Sequence, residues 1–393
     1  LSERPASGHA DAFRRTVVNA ADATGTRPLW RALGKLGVLD GLYDAAEVNT
    51  AEVDTKRLDV LLTELDARQP LGTVLAVCVQ VASAIPLLRS AAHVSPLART
   101  VAAEAQRGEA VLALAATDAA ASGSALMNMG TRARIDDDGV TISGGKDWIA
   151  NGGACDYALV LARHRPARHF TSFCWTLVPA RHPGVRRERA ATRHFAGADV
   201  AHLRFADVRL DRAHVIGRPG RALAEFARHI GAERLAGALW ARALCRRVLR
   251  DTHRYLSERP ADGGSLWHNQ AVRERFARCL VEWSRLDAMC AAHTATAHTG
   301  GTSAITDGMV LKAAYAQSAD RILGECADLR GAEAFSDGPF GDGGLAGLRA
   351  QAAMFGIAGG ATGAMLAAIA DNAADLLGAG ARGEAEVPWQ RSG

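Results

Sequence analysis

Residues 131–153, TRARIDDDGVTISGGKDWIANGG, are where the chain changes its period. Asp138-Gly139 stands between two short runs in which apolar and polar residues alternate, the pattern of a β-hairpin. Strand-like pieces continue downstream at 156–163 (DYALVLAR), 173–178 (FCWTLV) and 202–209 (HLRFADVR), separated by Pro- and Gly-bearing turns. Upstream, residues 12–115 are rich in Ala, Leu and Arg, and their apolar residues recur at helical spacing. The helical period returns from about 223 to 377, broken by the Gly-rich stretch 331–347. No internal repeat is present. Helices, then strands, then helices make an α+β chain with a sheet inserted between two helical bundles. The expected units are a helical domain at 1–115, a middle β domain at 116–222, a helical bundle at 223–381 and a tail at 382–393.

Composition supports a folded protein of two or three structural units. Of 393 residues, 48% are apolar and 22% charged, which excludes a disordered chain, a fibre and a multi-span membrane protein. Aromatics are only 5%, so the core relies on small side chains and closely packed helices. Forty-six basic residues face 42 acidic ones, nearly all of the basic set being Arg. With no block of five like charges, a nucleic-acid partner is not expected. The seven cysteines are scattered without a Cys-x-x-Cys pair, which points to free thiols in a reducing cytoplasm and argues against structural zinc. His293 and His298, five apart, fall on different helix faces and do not make a metal pair. Two uncharged stretches, 71–88 and 352–370, are each expected to be a buried helix rather than a membrane span. The N-terminal LSERPASGHADAF lacks the apolar core of a signal peptide.

Four local segments carry a resemblance. They are Thr117-Asp118-Ala119-Ala120-Ala121-Ser122-Gly123-Ser124, Ser143-Gly144-Gly145-Lys146-Asp147-Trp148-Ile149-Ala150-Asn151-Gly152, Leu203-Arg204-Phe205-Ala206-Asp207-Val208-Arg209-Leu210, and His214-Val215-Ile216-Gly217-Arg218-Pro219-Gly220-Arg221. In this order and at this spacing they resemble the acyl-CoA dehydrogenase family of flavoproteins over about residues 12–378. The resemblance implies that family's fold: an N-terminal helical domain, a β-barrel-like middle domain and a C-terminal four-helix bundle. It also implies FAD as cofactor. An isoalloxazine ring needs polar groups in its plane and an apolar or aromatic cover. Thr117, Trp148 and Ala150 stand where the family meets the flavin, Ala150 replacing the family's Thr or Ser. Ser124, Arg234 and Gly359 match positions next to the substrate.

The family holds the pyrophosphate and adenine of a neighbour's FAD with an Arg-x-x-Phe-Gly segment and a following Gln. Arg259, Gly263 and Gln270 match, while Asp262 replaces the Phe. A second segment, Gln-x-x-Gly-Gly, appears with Asp328 in place of its Gln and with Gly331 retained. Both acids disfavour a phosphate. Most members carry the catalytic Glu near the C-terminus, where this chain has Gly359. The isovaleryl-CoA dehydrogenase branch places its Glu on an earlier helix in a Leu-Glu-Arg-Leu context and keeps a small residue at the usual position. Ala232-Glu233-Arg234-Leu235 resembles that arrangement, so Glu233 is the candidate base. On its own residues, Glu233 is also readable as a solvated helix-face acid paired with Arg228 or Arg234.

The resemblance implies α,β-dehydrogenation of an acyl thioester, carried on CoA or on a carrier protein in a specialised biosynthetic pathway. Electrons would leave to an electron-transfer flavoprotein or O₂, and the active unit would be a homodimer or homotetramer. Two other readings stay open: a same-fold monooxygenase using reduced flavin, and a non-redox binding subunit.

Overall fold

The computed structural model describes residues 6–43, 53–122, 125–296 and 302–378. The N-terminal layer is helical: α1 (Ala6–Ala20), α2 (Thr26–Lys35), α3 (Val38–Gly41), α4 (Thr55–Arg68), α5 (Leu71–Val79), α6 (Ile85–Ala91) and α7 (Pro96–Gln106). Local chemistry starts these helices. The Asp54 carboxylate accepts from the backbone N–H groups of Lys56 and Arg57 to cap α4, and Ser95 caps α7 ahead of Pro96. A π-helical turn, Gln80–Ala84, joins α5 to α6. The resulting apolar stretch Leu71–Ala91 is long enough to cross a membrane but is mostly buried inside the protein.

The middle layer holds β1 (Leu112–Ala115), β2 (Arg132–Asp136), β3 (Gly139–Ile149), β4 (Tyr157–Arg163), β5 (Phe173–Pro179), β6 (Val185–Arg189), β7 (Ala201–Leu210) and β8 (Val215–Ile216). They form one sheet in the order β6-β7-β3-β2-β4-β5-β8, with β1 parallel to β4. α8 (Ala222–Glu258) then runs for 37 residues and packs against α4, α9 (Gln270–Thr296) and α10 (Thr302–Arg330). A short hairpin, β9 (Pro260–Ala261) and β10 (Gly264–Ser265), connects α8 to α9. The described residues end with α11 (Gly344–Ala352), α12 (Thr362–Asp371) and α13 (Ala373–Leu376). One continuous apolar core links the layers, with Trp30, Trp175 and Trp240 fully enclosed.

Three local expectations change. Residues 112–115, counted with the helices, form β1, because Gln80 Oε1 accepts from Leu112 N at 2.8 Å and β4 supplies a strand partner. A four-residue apolar run has no period of its own to decide the matter. In the hairpin, Asp136 pairs with Gly139, so the turn is Asp137-Asp138 and not Asp138-Gly139. Gly139 serves a close approach instead: a Cβ there would lie 2.3 Å from the Leu210 carbonyl oxygen. The stretch 352–370 is not one buried helix. It breaks after Phe355, and none of the α12 side chains is fully buried. The Gly-rich sequence at 356–360 cannot hold a helix, and α12 beyond it lies on the surface.

Candidate active site

α8 carries Glu233 inward, three turns from its start, toward the π-helical turn on one side and the 353–362 segment on the other. The Ser83 hydroxyl donates to Glu233 Oε2 at 2.7 Å. Gly359 lies opposite with φ +69°, and a Cβ built on it would sit 3.3 Å from Glu233 Oε1 and 3.8 Å from Lys312 Cε. Glu233 and Gly359 therefore meet across the space that any side chain at 359 would fill. Lys312, fully buried on α10, donates its ammonium to the Phe355 carbonyl and lies 4.9 Å from the centre of the Tyr315 ring.

Burial pushes the Glu233 pKa up. The Ser83 hydrogen bond and the charges of Arg234 and Lys312 oppose that shift without cancelling it. Burial also draws Lys312 down to about 8, although Glu233 pulls it the other way. Raised in pKa within a low-dielectric recess, the carboxylate is a stronger base than a solvated one, as removal of a proton from a weak carbon acid requires.

Arg234 does not pair with Glu233. Its guanidinium donates to the carbonyl of Gly359 at 3.5 Å and of Ile305 at 3.4 Å, and it approaches Met365 Sδ at 3.4 Å. It holds the Gly359 segment against α8. Arg228 is exposed on another face. The solvated helix-face reading of Glu233 is therefore set aside.

A second surface is built on the sheet. Asp118 and Lys146 form a buried ion pair at 3.3 Å. Asp118 also accepts from Ala120 N, Gly130 N, Thr131 N and Thr131 Oγ1, closing the loop that leaves Thr117 exposed. Burial would raise the Asp118 pKa, but Thr131, Lys146 and the backbone donors outweigh it and hold it at about 2. Register slips in β3 between Lys146 and Ile149. That bulge gives Trp148 a φ of +58° and turns its indole outward, 57% exposed, with His202 edge-on at 5.5 Å. Trp148 is therefore not core. A bulky residue with positive φ is strained, and such strain clusters where a side chain is re-aimed for a ligand. An open indole face, the exposed Thr117, whose carbonyl accepts from Asp147 N at 3.2 Å, and the small Ala150 two residues after Trp148 fit a flat ring with apolar faces and a polar edge.

Residues 113–208 match the acyl-CoA dehydrogenase middle domain, and residues 223–374 match the acyl-CoA dehydrogenase C-terminal domain. The chain belongs to the acyl-CoA dehydrogenase family. An acyl-[acyl-carrier-protein] dehydrogenase, MbtN of Mycobacterium sp. (strain MCS), is 28% identical, covering 79% of this chain and 77% of its own. A cyclohex-1-ene-1-carbonyl-CoA dehydrogenase of Geobacter metallireducens (strain ATCC 53774 / DSM 7210 / GS-15) is 27% identical over 77% and 78%. Among solved structures, the FAD complex of PigA superposes with a TM-score of 0.83 at 18% identity, over 96% of this chain and 99% of that one.

The other positions matched to the acyl-CoA dehydrogenase family lie elsewhere. Arg259, Gly263 and Gln270 are exposed around the β9–β10 hairpin. Arg259 ends α8, 26 residues beyond Glu233, which is roughly 39 Å of helix. Asp328 and Gly331 are exposed at the end of α10, and Asp328 lies 3.8 Å from Arg275. The two segments are neighbours: Tyr255 donates to the Arg330 carbonyl at 3.3 Å, and Arg330 pairs with Asp251 at 2.6 Å. Ser124 lies outside the described residues, as does His298. Reading of the sequence did not find Ser83, Lys312 or Tyr315. A signal existed for the first, a hydroxyl inside an apolar run, and for the second, one of only four lysines.

Proposed function

We propose that this protein is an FAD-dependent acyl-thioester dehydrogenase in which Glu233 is the base. The observation that carries this reading is the half-buried Glu233 carboxyl, raised in pKa and facing the gap left by Gly359. When bound, the flavin supplies the hydride acceptor. Glu233 then has the task of removing the proton α to the thioester carbonyl, Ser83 orients its carboxylate, and Arg234 fixes the backbone of the Gly359 segment. Trp148 covers the ring, and the Asp118–Lys146 pair sets the loop bearing Thr117. A reduced-flavin oxygenase has no task for a carboxylate in this recess, which favours dehydrogenation.

The reading extends to a biosynthetic role, in keeping with the carrier-protein relative MbtN, with an electron-transfer flavoprotein or O₂ as acceptor. Seven free, buried cysteines suit a reducing cytoplasm. Arg259 is too far from Glu233 to serve the same flavin, so its phosphate-binding role requires a neighbouring subunit, and the active unit is a homodimer or homotetramer. The test is anaerobic bleaching of the flavin absorbance by acyl thioesters, with Glu233→Gln alongside. Bleaching that survives Glu233→Gln would overturn the assignment.

A further inference from the structure

Between β4 and β5 the chain reads His164-Arg165-Pro166-Ala167-Arg168-His169-Phe170, without an acid. Residues 165–171 are exposed, yet the loop is ordered by its own bonds. His164 N donates to the Ser172 carbonyl at 2.9 Å, and His169 Nδ1 meets Thr171 Oγ1 at 2.8 Å. Arg132 of β2 sits opposite Arg163 in register. Gly220 N donates to the Phe173 carbonyl at 2.8 Å, which brings the exposed Arg218 and Arg221 to the same edge. Among the described residues, Arg132, Arg165, Arg168, Arg218 and Arg221 enter no ion pair. The acids closest in sequence to this edge are Asp136, 3.6 Å from Arg134, Asp211, and the half-buried Glu225. Glu225, beside Gly217, faces this edge from α8, and the balance of charge there remains positive.

This edge is tied to both parts of the candidate site. Arg163 donates to the Met127 carbonyl, in the loop that Asp118 closes beneath Thr117. At the other side, Trp175 Nε1 donates to the Ala222 carbonyl at 3.2 Å, fixing the start of α8. Glu233 lies 11 residues, roughly 16 Å, farther along that helix. A tether of roughly 16 Å is what separates Glu233 from the basic edge when measured along α8. Positive charge spread over β2, the β4–β5 loop and the start of α8, with Phe170 46% exposed among it, matches a protein surface better than the concave, closed site that a nucleotide needs.

We propose that this edge docks an acidic acyl carrier protein, whose phosphopantetheine arm delivers the thioester to Glu233; the delivery rests on the dehydrogenase reading above. The test is binding of a fluorescently labelled, acidic holo-acyl carrier protein to the flavin-loaded enzyme, with R165E/R168E as the probe variant. R278E/R285E, exposed on α9, is the control. The expected result is at least tenfold weaker binding for R165E/R168E, a control within twofold of wild type, and wild-type binding that weakens as salt rises. Excess free CoA should leave the carrier protein bound. No binding by the wild type, equal loss in both variants, or displacement by CoA would overturn the proposal. Flavin bleaching by the same acyl group on CoA, measured in R165E/R168E, reports on Glu233 separately. Carrier binding without bleaching by either thioester supports the docking surface and removes the dehydrogenase reading instead.

Discussion

The Ser83 hydroxyl donates to Glu233 Oε2 at 2.7 Å, joining two residues 150 positions apart in the chain. Ser83 sits in a π-helical turn, a device that recurs where a helix must present a side chain to a site. The bond favours the ionised carboxylate and is one of the forces opposing burial. Ser83→Ala should therefore raise the Glu233 pKa further, since the hydrogen bond that favours the charged form is lost. The acid limb of the bleaching rate should move to higher pH with the plateau largely kept, as read from a rate–pH profile by stopped flow.

Glu233→Gln keeps the shape of the side chain and removes the base. Rates should fall about 10²–10⁴-fold, the range for loss of a positioned general base. Flavin binding and melting temperature should stay near wild type. Single-turnover bleaching and a thermal melt, run together, separate lost chemistry from lost fold.

The pH dependence of stability has a definite sign at this pair. The Glu233 pKa is raised in the folded state, so its contribution is present at low pH and is lost as pH rises through the folded value. Lys312, lowered to about 8, contributes above its unfolded value and loses that contribution as pH falls through 8. Lys312→Met removes a nearby positive charge and the bond to the Phe355 carbonyl. It should push the acid limb of the rate upward and flatten the change in melting temperature near pH 8, both measurable in one pH series.

Gly359→Ala should be costly twice. Its φ of +69° is unfavourable for a residue with a Cβ, by about 1 kcal/mol or more, and the new methyl would press on Glu233 Oε1 at 3.3 Å. Expected are a lower melting temperature and a fall in rate larger than the loss of folded protein explains. Chemical denaturation and active-site titration give the two numbers.

Breaking the Asp118–Lys146 pair with Lys146→Met should destabilise by about 3–5 kcal/mol, since a buried carboxylate is left without its partner. Asp118, held at about 2 when folded, contributes stability above its unfolded value that is lost as pH falls toward 2. Trp148→Ala makes the contrast. Because the indole is 57% exposed, stability should change by less than about 0.5 kcal/mol while flavin affinity drops, as titration of flavin fluorescence would show.

Much of the fold was legible in the chain because its signals are local. Helical spacing, the alternating runs of β2 and β3, the strand-like apolar runs of β4, β5 and β7, and turn residues at the right places gave the order of the layers. β1 and β6 escaped, one too short and small-chained to show a period, the other an edge strand of charged residues, Val185-Arg-Arg-Glu-Arg189. The bulge at Trp148 also escaped, since a register slip belongs to a pair of strands and not to either one.

By itself the sequence determined the α+β layering, the candidacy of Glu233, and the fact that Gly359 leaves room at the usual acid position. Only the tertiary structure decided that these two meet, that Ser83 and Lys312 surround the carboxyl, and that Arg234 turns away to hold the Gly359 segment. The physical reason is range. Backbone periodicity is written between residues a few positions apart, whereas a pKa and a vacated volume depend on side chains from α8, α10, the π-helical turn and the 353–362 segment, which become neighbours only when the helices pack.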